Sequence, residues 1–253
     1  MKKVFCLLVC VLTVAVFGAA ELRLADATGG APLEAVMQAA IALAMEGKLE
    51  VSMNRRLPSE SLADLDAGRV DAVIIDRVFV PNRKQIPLAA EALALYISAA
   101  NPGAKLTKKQ VGEILTAVRP NWKDYNRLDI DIQRIAMKPL SPSGTLIRRV
   151  FGSSSVAEEI FRVDSFSSGF NFVNTASIFF AQYIPQAPLE VKCLPIDGVL
   201  PTSAQIVEGR YPLSVHYVIV CKKDLPQLKL LMEQLNSDKY RRHMVDSGLI
   251  VLF

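Results

Sequence analysis

The chain has 253 residues, is 51% hydrophobic and 21% charged, and carries a formal charge of +4. That length suits one large domain or two lobes with a core each. The near balance of charge, +2 once Lys2 and Lys3 are set aside, argues against nucleic acid or a strongly anionic membrane as a partner. Lys2 and Lys3 precede an apolar run from Val4 to Phe17, and Gly18, Ala19 and Ala20 are small residues of the kind that precede signal-peptidase cleavage. The run is shorter than the roughly 20 residues that span a bilayer comfortably. Residues 1–20 therefore read as a cleaved signal peptide, with export and a mature start at Glu21. A retained anchor is the alternative.

Beyond it, strand-like and helix-like segments alternate. Leu22 to Ala25 is a short strand. Pro32 opens a helix with Leu33, Val36, Met37, Ala40, Ile41 and Ala44 on one stripe. Leu49 to Met53 is a strand, Ser59 is placed to cap a helix running to Ala67, and Gly68 ends it. Val70 to Ile75 has the continuous apolar character of a buried parallel strand. The β-α-β-α-β order predicts a parallel sheet with right-handed crossovers.

A new section begins at Leu93 to Ser98, a strand. Thr107 with Gln110 makes a capping box for a helix to Ala117. Ile132 to Met137 is strand-like, and Ser143 stands where a helix from Thr145 to Phe151 begins. Val191 to Leu194 and Val215 to Val220 are further strands. Helices from Leu225 to Asn236 and from Lys239 to Asp246 close the chain. Of the four cysteines, Cys193 and Cys221 remain after cleavage, and an oxidising compartment would permit them to pair or to stay as buried thiols.

No metal-ligand spacing, Walker loop or nucleophile elbow is present, and His216 and His243 read as surface or packing residues. Neither histidine is placed by a motif to serve Ser143 as a base, so a hydrolase reading is weak. Small polar residues do gather at strand-to-helix junctions: Thr28, Ser59, Asp76, and Ser143, Gly144 and Thr145. Each alone is ordinary capping. Together they fit an anion site, because helix N-termini offer unpaired N–H groups, and open α/β sheets bind ligands beyond the carboxyl ends of their strands.

The ordered motifs resemble the phosphate-binding proteins of phosphate ABC transporters, a branch of the two-lobed periplasmic binding proteins. Pro142-Ser143-Gly144-Thr145 is similar to that family's Ser-Gly-Thr turn. Asn101-Pro102, Leu106-Thr107 and Asn121-Trp122-Lys123-Asp124 follow the family order. Gly209-Arg210-Tyr211-Pro212-Leu213 looks like its Tyr-Pro return, and Gly68-Arg69-Val70-Asp71 leads to Asp76 as in its aspartate-bearing stretch. The resemblance implies an α/β, two-lobed periplasmic-binding-protein-like fold, with two mixed sheets flanked by helices and a hinge between them. It implies one lobe from residues 21–92 plus 212–253 and a second from 93–211. The implied ligand contacts are Thr28, Ser59, Asp76, Ser143, Gly144, Thr145 and Lys138. The family's arginine ahead of the Ser-Gly-Thr turn has no counterpart, and Lys138 is the nearest cation; Arg55, Arg56 and Arg77 lie near other site positions. The expected protein is a periplasmic, monomeric, non-enzymatic binder without metal or cofactor. It would take phosphate or another small oxyanion for a membrane ABC permease, with Asp76 accepting a ligand proton that sulfate lacks. The alternative is a degenerate sensor or interaction domain of the same fold.

Overall fold

The computed structural model describes residues 20–28, 30, 32–139, 141–152 and 159–253, with Pro142 and Ser143 described by backbone alone. The expected signal peptide falls outside the described residues except for Ala20, which opens the first strand.

The first half is built as β1 (Ala20–Asp26), α1 (Pro32–Met45), β2 (Leu49–Arg55), α2 (Pro58–Asp66) and β3 (Ala72–Asp76). Strand β1 lies parallel to β2 on one side and to β3 on the other, as the β-α-β-α-β order requires. The apolar residues of β3 are all buried because both faces are covered. Helix α1 buries Pro32, Ala35, Val36, Ala39, Ala40 and Leu43, while Met37 and Ile41 of the expected stripe are exposed. The helix is apolar nearly all round, so periodicity alone did not select its inner face. The sheet takes the face rich in alanine, which lets the helix axis approach closely.

The long strand β4 (Gln85–Ser98) organises everything that follows. It begins well before the expected Leu93. Residues 85–92 pair antiparallel with β9 (Ser214–Cys221), which itself pairs with β3. Between Ala92 and Leu93 the partner changes. Leu93 to Tyr96 pair with β7 (Ser177–Gln182), and Tyr96 to Ser98 pair with β8 (Val191–Cys193). Strand β5 (Gln133–Met137) is parallel to β7 and to β6 (Phe161–Val163), and β10 (Ile250–Val251) adds to the first half of β4. The result is two mixed sheets sharing one strand, in the order β2-β1-β3-β9-β4-β7-β5-β6.

Helices cover these sheets: α3 (Lys108–Thr116), α4 (Pro142–Phe151), α5 (Phe166–Asn171), α6 (Ser203–Val207), α7 (Pro226–Leu235) and α8 (Asp238–Asp246). The capping box of α3 forms as expected, the Thr107 hydroxyl accepting from the Gln110 N–H. Helix α4 begins earlier than expected. Ser141 is its N-cap and accepts from the Gly144 N–H at 3.0 Å, which puts Ser143 inside the first turn. Likewise α2 starts at Pro58 with Leu57 as N-cap, so Ser59 is helical and exposed rather than capping.

Several residues singled out by sequence prove to be struts. Asn101, fully buried, donates to the Thr175 carbonyl at 2.7 Å. Trp122 Nε1 donates to the Ala176 carbonyl at 2.9 Å. The buried Tyr211 hydroxyl donates to the Leu93 carbonyl at 3.0 Å, where the chain returns past β4. Cys193 and Cys221 are free thiols. Cys193 pairs beside Tyr96, and Val220, the neighbour of Cys221, pairs beside Gln85. Eleven residues of β4 separate those positions, on the order of 30 Å along a strand, which rules out a bridge.

Trp122, the only tryptophan, is wholly buried in the main core. Trp122→Ala is expected to cost about 3–5 kcal/mol and Trp122→Phe about 1 kcal/mol, for the lost hydrogen bond. Urea unfolding followed by circular dichroism checks both.

Candidate functional site

Strands β1, β2 and β3 run parallel, so the loops after Asp26, Arg55 and Asp76 emerge at one edge of the first sheet. Helix α4 of the second half meets that edge. The contact is made by Arg149, whose side chain is only 17% exposed. Its guanidinium donates to Glu91 Oε1 at 2.8 Å and to the Tyr217 hydroxyl, and lies 5.5 Å from the Tyr217 ring centroid. It also fills the space in front of Gly30, where any Cβ would collide with it.

Glu91 is a carboxylate with 1% exposure in the middle of β4. It accepts from Arg149, from the Tyr217 hydroxyl and, at 2.8 Å, from Gln182 Nε2. Gln182 donates further to the Gly248 carbonyl at 3.1 Å, and Gly248 leaves no room for a side chain there. Burial pushes the Glu91 carboxyl above the ordinary glutamate range, against the pull of Tyr217 and Arg149. Burial also raises the Tyr217 phenol.

Asp76 closes β3 directly opposite Tyr217. Its carboxylate accepts from the Val78 N–H at 3.1 Å. Burial raises its carboxyl above the usual aspartate range, with the Val78 N–H and the charges of Arg149 and His216 acting the other way. His216 is partly buried, its Nε2 sits 2.8 Å from the Ile206 carbonyl, and it acts as a packing residue. Thr28 stands in the first loop, where its hydroxyl donates to the buried Asp26 at 2.6 Å and accepts from the Gly30 N–H at 3.2 Å.

The sequence-derived positions therefore fall into two groups. Asp76 and, through the Gly30 N–H that its hydroxyl accepts from, Thr28 lie around Arg149, while Gly144 and Thr145 stand at the start of the same helix α4. The Ser143 side chain lies outside the described residues, and the Thr145 N–H is used within the helix, donating to Ser141. Ser59 is exposed at the start of α2, beside an open groove that Thr28 and Pro58 line. Lys138 does not join them. Its ammonium pairs with Asp164 at the surface, and its carbonyl accepts from the Ser141 hydroxyl at 2.7 Å. That carbonyl lies where a Cβ on Gly144 would be, so the glycine is a steric requirement of the turn. Arg55 and Arg56 are engaged by Asp26 at 3.3 Å and Asp64 at 3.1 Å, and Arg77 is exposed. Among the described residues no group of three or more His, Cys, Asp or Glu is placed to hold a metal ion, and no helix is long and apolar enough to cross a membrane.

No protein-family model matches the sequence, and no curated protein matches it. Solved structures do. An ABC-type phosphate transport receptor from Vibrio cholerae matches with a TM-score of 0.65 at 22% identity, over 91% of this chain and 99% of that one. The chain has the two-lobed periplasmic-binding-protein fold. A possible phosphate binding protein from Planctomyces limnophilus matches with a TM-score of 0.74 at 16% identity, over 93% of this chain and 94% of that one. The LysR substrate binding domain of a putative periplasmic protein from Wolinella succinogenes matches at 0.58 and 11%, over 90% and 100%. At these identities the likeness is one of fold, and a fold of this kind does not choose its ligand.

Two predictions follow from the electrostatics. Arg149→Met leaves the buried Glu91 without its cation and is expected to cost about 3–5 kcal/mol. Adding Glu91→Gln should restore part of that loss in a double-mutant cycle by urea unfolding. Asp76 has a raised folded-state pKa, so its contribution to stability is fullest below the ordinary aspartate range and is lost as pH rises through the folded value. The stability of Asp76→Asn minus that of the wild type should therefore grow as pH is raised from about 4 towards neutrality, measured by thermal melts in phosphate-free buffer.

Proposed function

We propose that this chain is an exported solute-binding protein whose lobes, residues 21–92 plus 212–253 and residues 93–211, close on a small oxyanion and present it to a membrane ABC permease. Inorganic phosphate is the first ligand to test. The protein acts as a monomer in the periplasm after loss of residues 1–20. It binds its ligand without chemistry on it.

Arg149 carries this reading. A largely buried guanidinium from α4 stands against Gly30, and its charge acts on Asp76, at the carboxyl edge of the parallel strands. Open α/β sheets hold ligands at that edge. The cation expected just ahead of the Ser-Gly-Thr turn is supplied instead from the turn of α4 that follows it. Two solved structures of the same fold are described as phosphate receptors or binding proteins, which supports phosphate as the starting ligand.

In this reading the hydroxyls of Ser59, Ser143 and Thr145 replace the anion's water with neutral donors, Thr28 joins them by exchanging its bond to Asp26, and Arg149 supplies the charge. Asp76 accepts a hydrogen bond from a protonated ligand oxygen. Sulfate at neutral pH has no such proton, and facing Asp76 with an acceptor costs on the order of 2–3 kcal/mol. One observation favours a second reading, a domain that binds a different ligand or none: Arg149 is already engaged by Glu91 and Tyr217.

Isothermal titration calorimetry separates the two. Phosphate should bind, and sulfate should bind roughly 30–150-fold more weakly. Asp76→Asn should narrow that gap, and Arg149→Lys should weaken phosphate because an ammonium does not reproduce the guanidinium fork. Absence of any heat with either anion leaves the second reading standing.

A further inference from the structure

Arg149 is the cation an oxyanion would meet, and the protein already uses it. Its Nη1 donates to Glu91 Oε1 at 2.8 Å and to the Tyr217 hydroxyl. Nη2 is the guanidinium atom that a side chain on Gly30 would strike first, so it stands against the loop between β1 and α1. One end of the guanidinium is held by an internal carboxylate and the other stands at the strand ends.

The charges around Arg149 do not balance. Glu91 on β4 is one negative charge, and Asp76 at the end of β3 is a second, which acts on both Glu91 and Tyr217. Strand β9 brings Tyr217, a phenol raised by burial, and His216, whose charge acts on Asp76. Strand β7 brings only the neutral Gln182, which donates on to the Gly248 carbonyl. Helix α6 and strand β10 also pack on β4 and carry no titratable side chain. On α4, Arg148 is turned to the Pro139 carbonyl. Arg55, Arg56 and Lys138 are paired with Asp26, Asp64 and Asp164. An oxyanion arriving at Arg149 is therefore a third negative charge on one cation, and carboxylates crowded in this way do not all stay ionised.

Glu91 is the group that gives way. Asp76 keeps the Val78 N–H and, in the reading above, a proton of the ligand. Glu91 keeps its charge at 1% exposure only because Arg149 and its two neutral donors answer it, and burial already lifts its carboxyl above the ordinary glutamate range. Sharing Arg149 with a second anion removes part of that answer.

We propose that Glu91 sets the affinity of the oxyanion site, as a counter-anion to Arg149 that takes up one proton from solvent when an oxyanion arrives. This rests on the oxyanion-binding reading above and adds its regulation: binding tightens as pH falls. The protonated carboxyl donates to the Tyr217 oxygen, still accepts from Gln182, and leaves the Arg149 charge to the ligand. Glu91 is a positioning residue, since it acts through Arg149.

The test is calorimetry with inorganic phosphate on the purified protein, over a pH series on the acid side of neutrality where phosphate is mainly singly charged. Buffers of different ionisation enthalpy count the protons. Uptake of about one proton per phosphate is expected between the free and the bound value of the Glu91 carboxyl, with affinity falling up to about tenfold per pH unit as pH rises through that window. Glu91→Gln keeps the shape and removes the charge. It should bind phosphate about tenfold or more tightly than the wild type at the upper end of the series, and without the pH slope. A residue with only a packing role would show neither. Asp76→Asn should keep the uptake, moved to lower pH because one negative charge has gone. Circular dichroism verifies that the variants fold; should Glu91→Gln not fold, the wild-type count and Asp76→Asn decide. Wild-type binding with no proton uptake and no change with pH overturns the inference and leaves the oxyanion reading in place. So does uptake that persists in Glu91→Gln, or that is lost at every pH in Asp76→Asn. No phosphate binding at any pH overturns the inference and the oxyanion reading together.

Discussion

A carboxylate removed from water must be answered by donors, and Glu91 imposes that demand at the centre of this molecule. Its three partners come from separate elements: Arg149 from α4, Gln182 from β7 and Tyr217 from β9. Strand β9 belongs to the first sheet, β7 to the second, and α4 packs against both. A single buried charge thus ties the two sheets together just before β4 changes partners between Ala92 and Leu93. The loss of any donor would leave a charged acceptor unsatisfied in a medium of low polarity, which is far costlier than an exposed ion pair of the same geometry. Gly30 and Gly248 belong to this arrangement too, since each gives up a side chain so that Arg149 or Gln182 can pass.

The same network sets the electrostatic character of the site edge. Surface cations near it are partly exposed and are shared with Asp26, Asp64 or Asp164. Arg149, by contrast, is largely buried at this edge. Its charge is held in place by Glu91, so the guanidinium has a fixed position.

Much of the architecture could be read from the sequence. The alternation from Leu22 to Ile75, the Thr107–Gln110 capping box and the terminal helices are local patterns, and each is present. What was missed depended on tertiary context. Strand β7, Ser177–Gln182, is an apolar run framed by Asn174 and Pro185 that was not read as a strand, and β6 is three residues long. The inner face of α1 was misjudged because both faces are apolar and only the sheet could choose between them. Of the proposed contacts, Thr28, Asp76 and Gly144 stand at the strand and helix ends where the sequence pattern put them. Glu91 had a signal, a lone acid inside the apolar run Leu88 to Ile97, which is costly unless paired. Arg149 had none. It follows Arg148 in α4, and only packing sends one of them inward and leaves the other exposed.

The position of β9 has a consequence for how the chain acquires its structure. It lies between β3 and β4, so the first sheet cannot close until residues 214–221 are in place, long after β1 to β4 have been made. Until then the inner edges of β3 and β4 stand open with their backbone groups unpaired, in a chain rich in apolar residues. Such long-range closure is slow compared with local helix formation. Handling as an extended chain keeps the two edges apart until the strand that joins them has arrived.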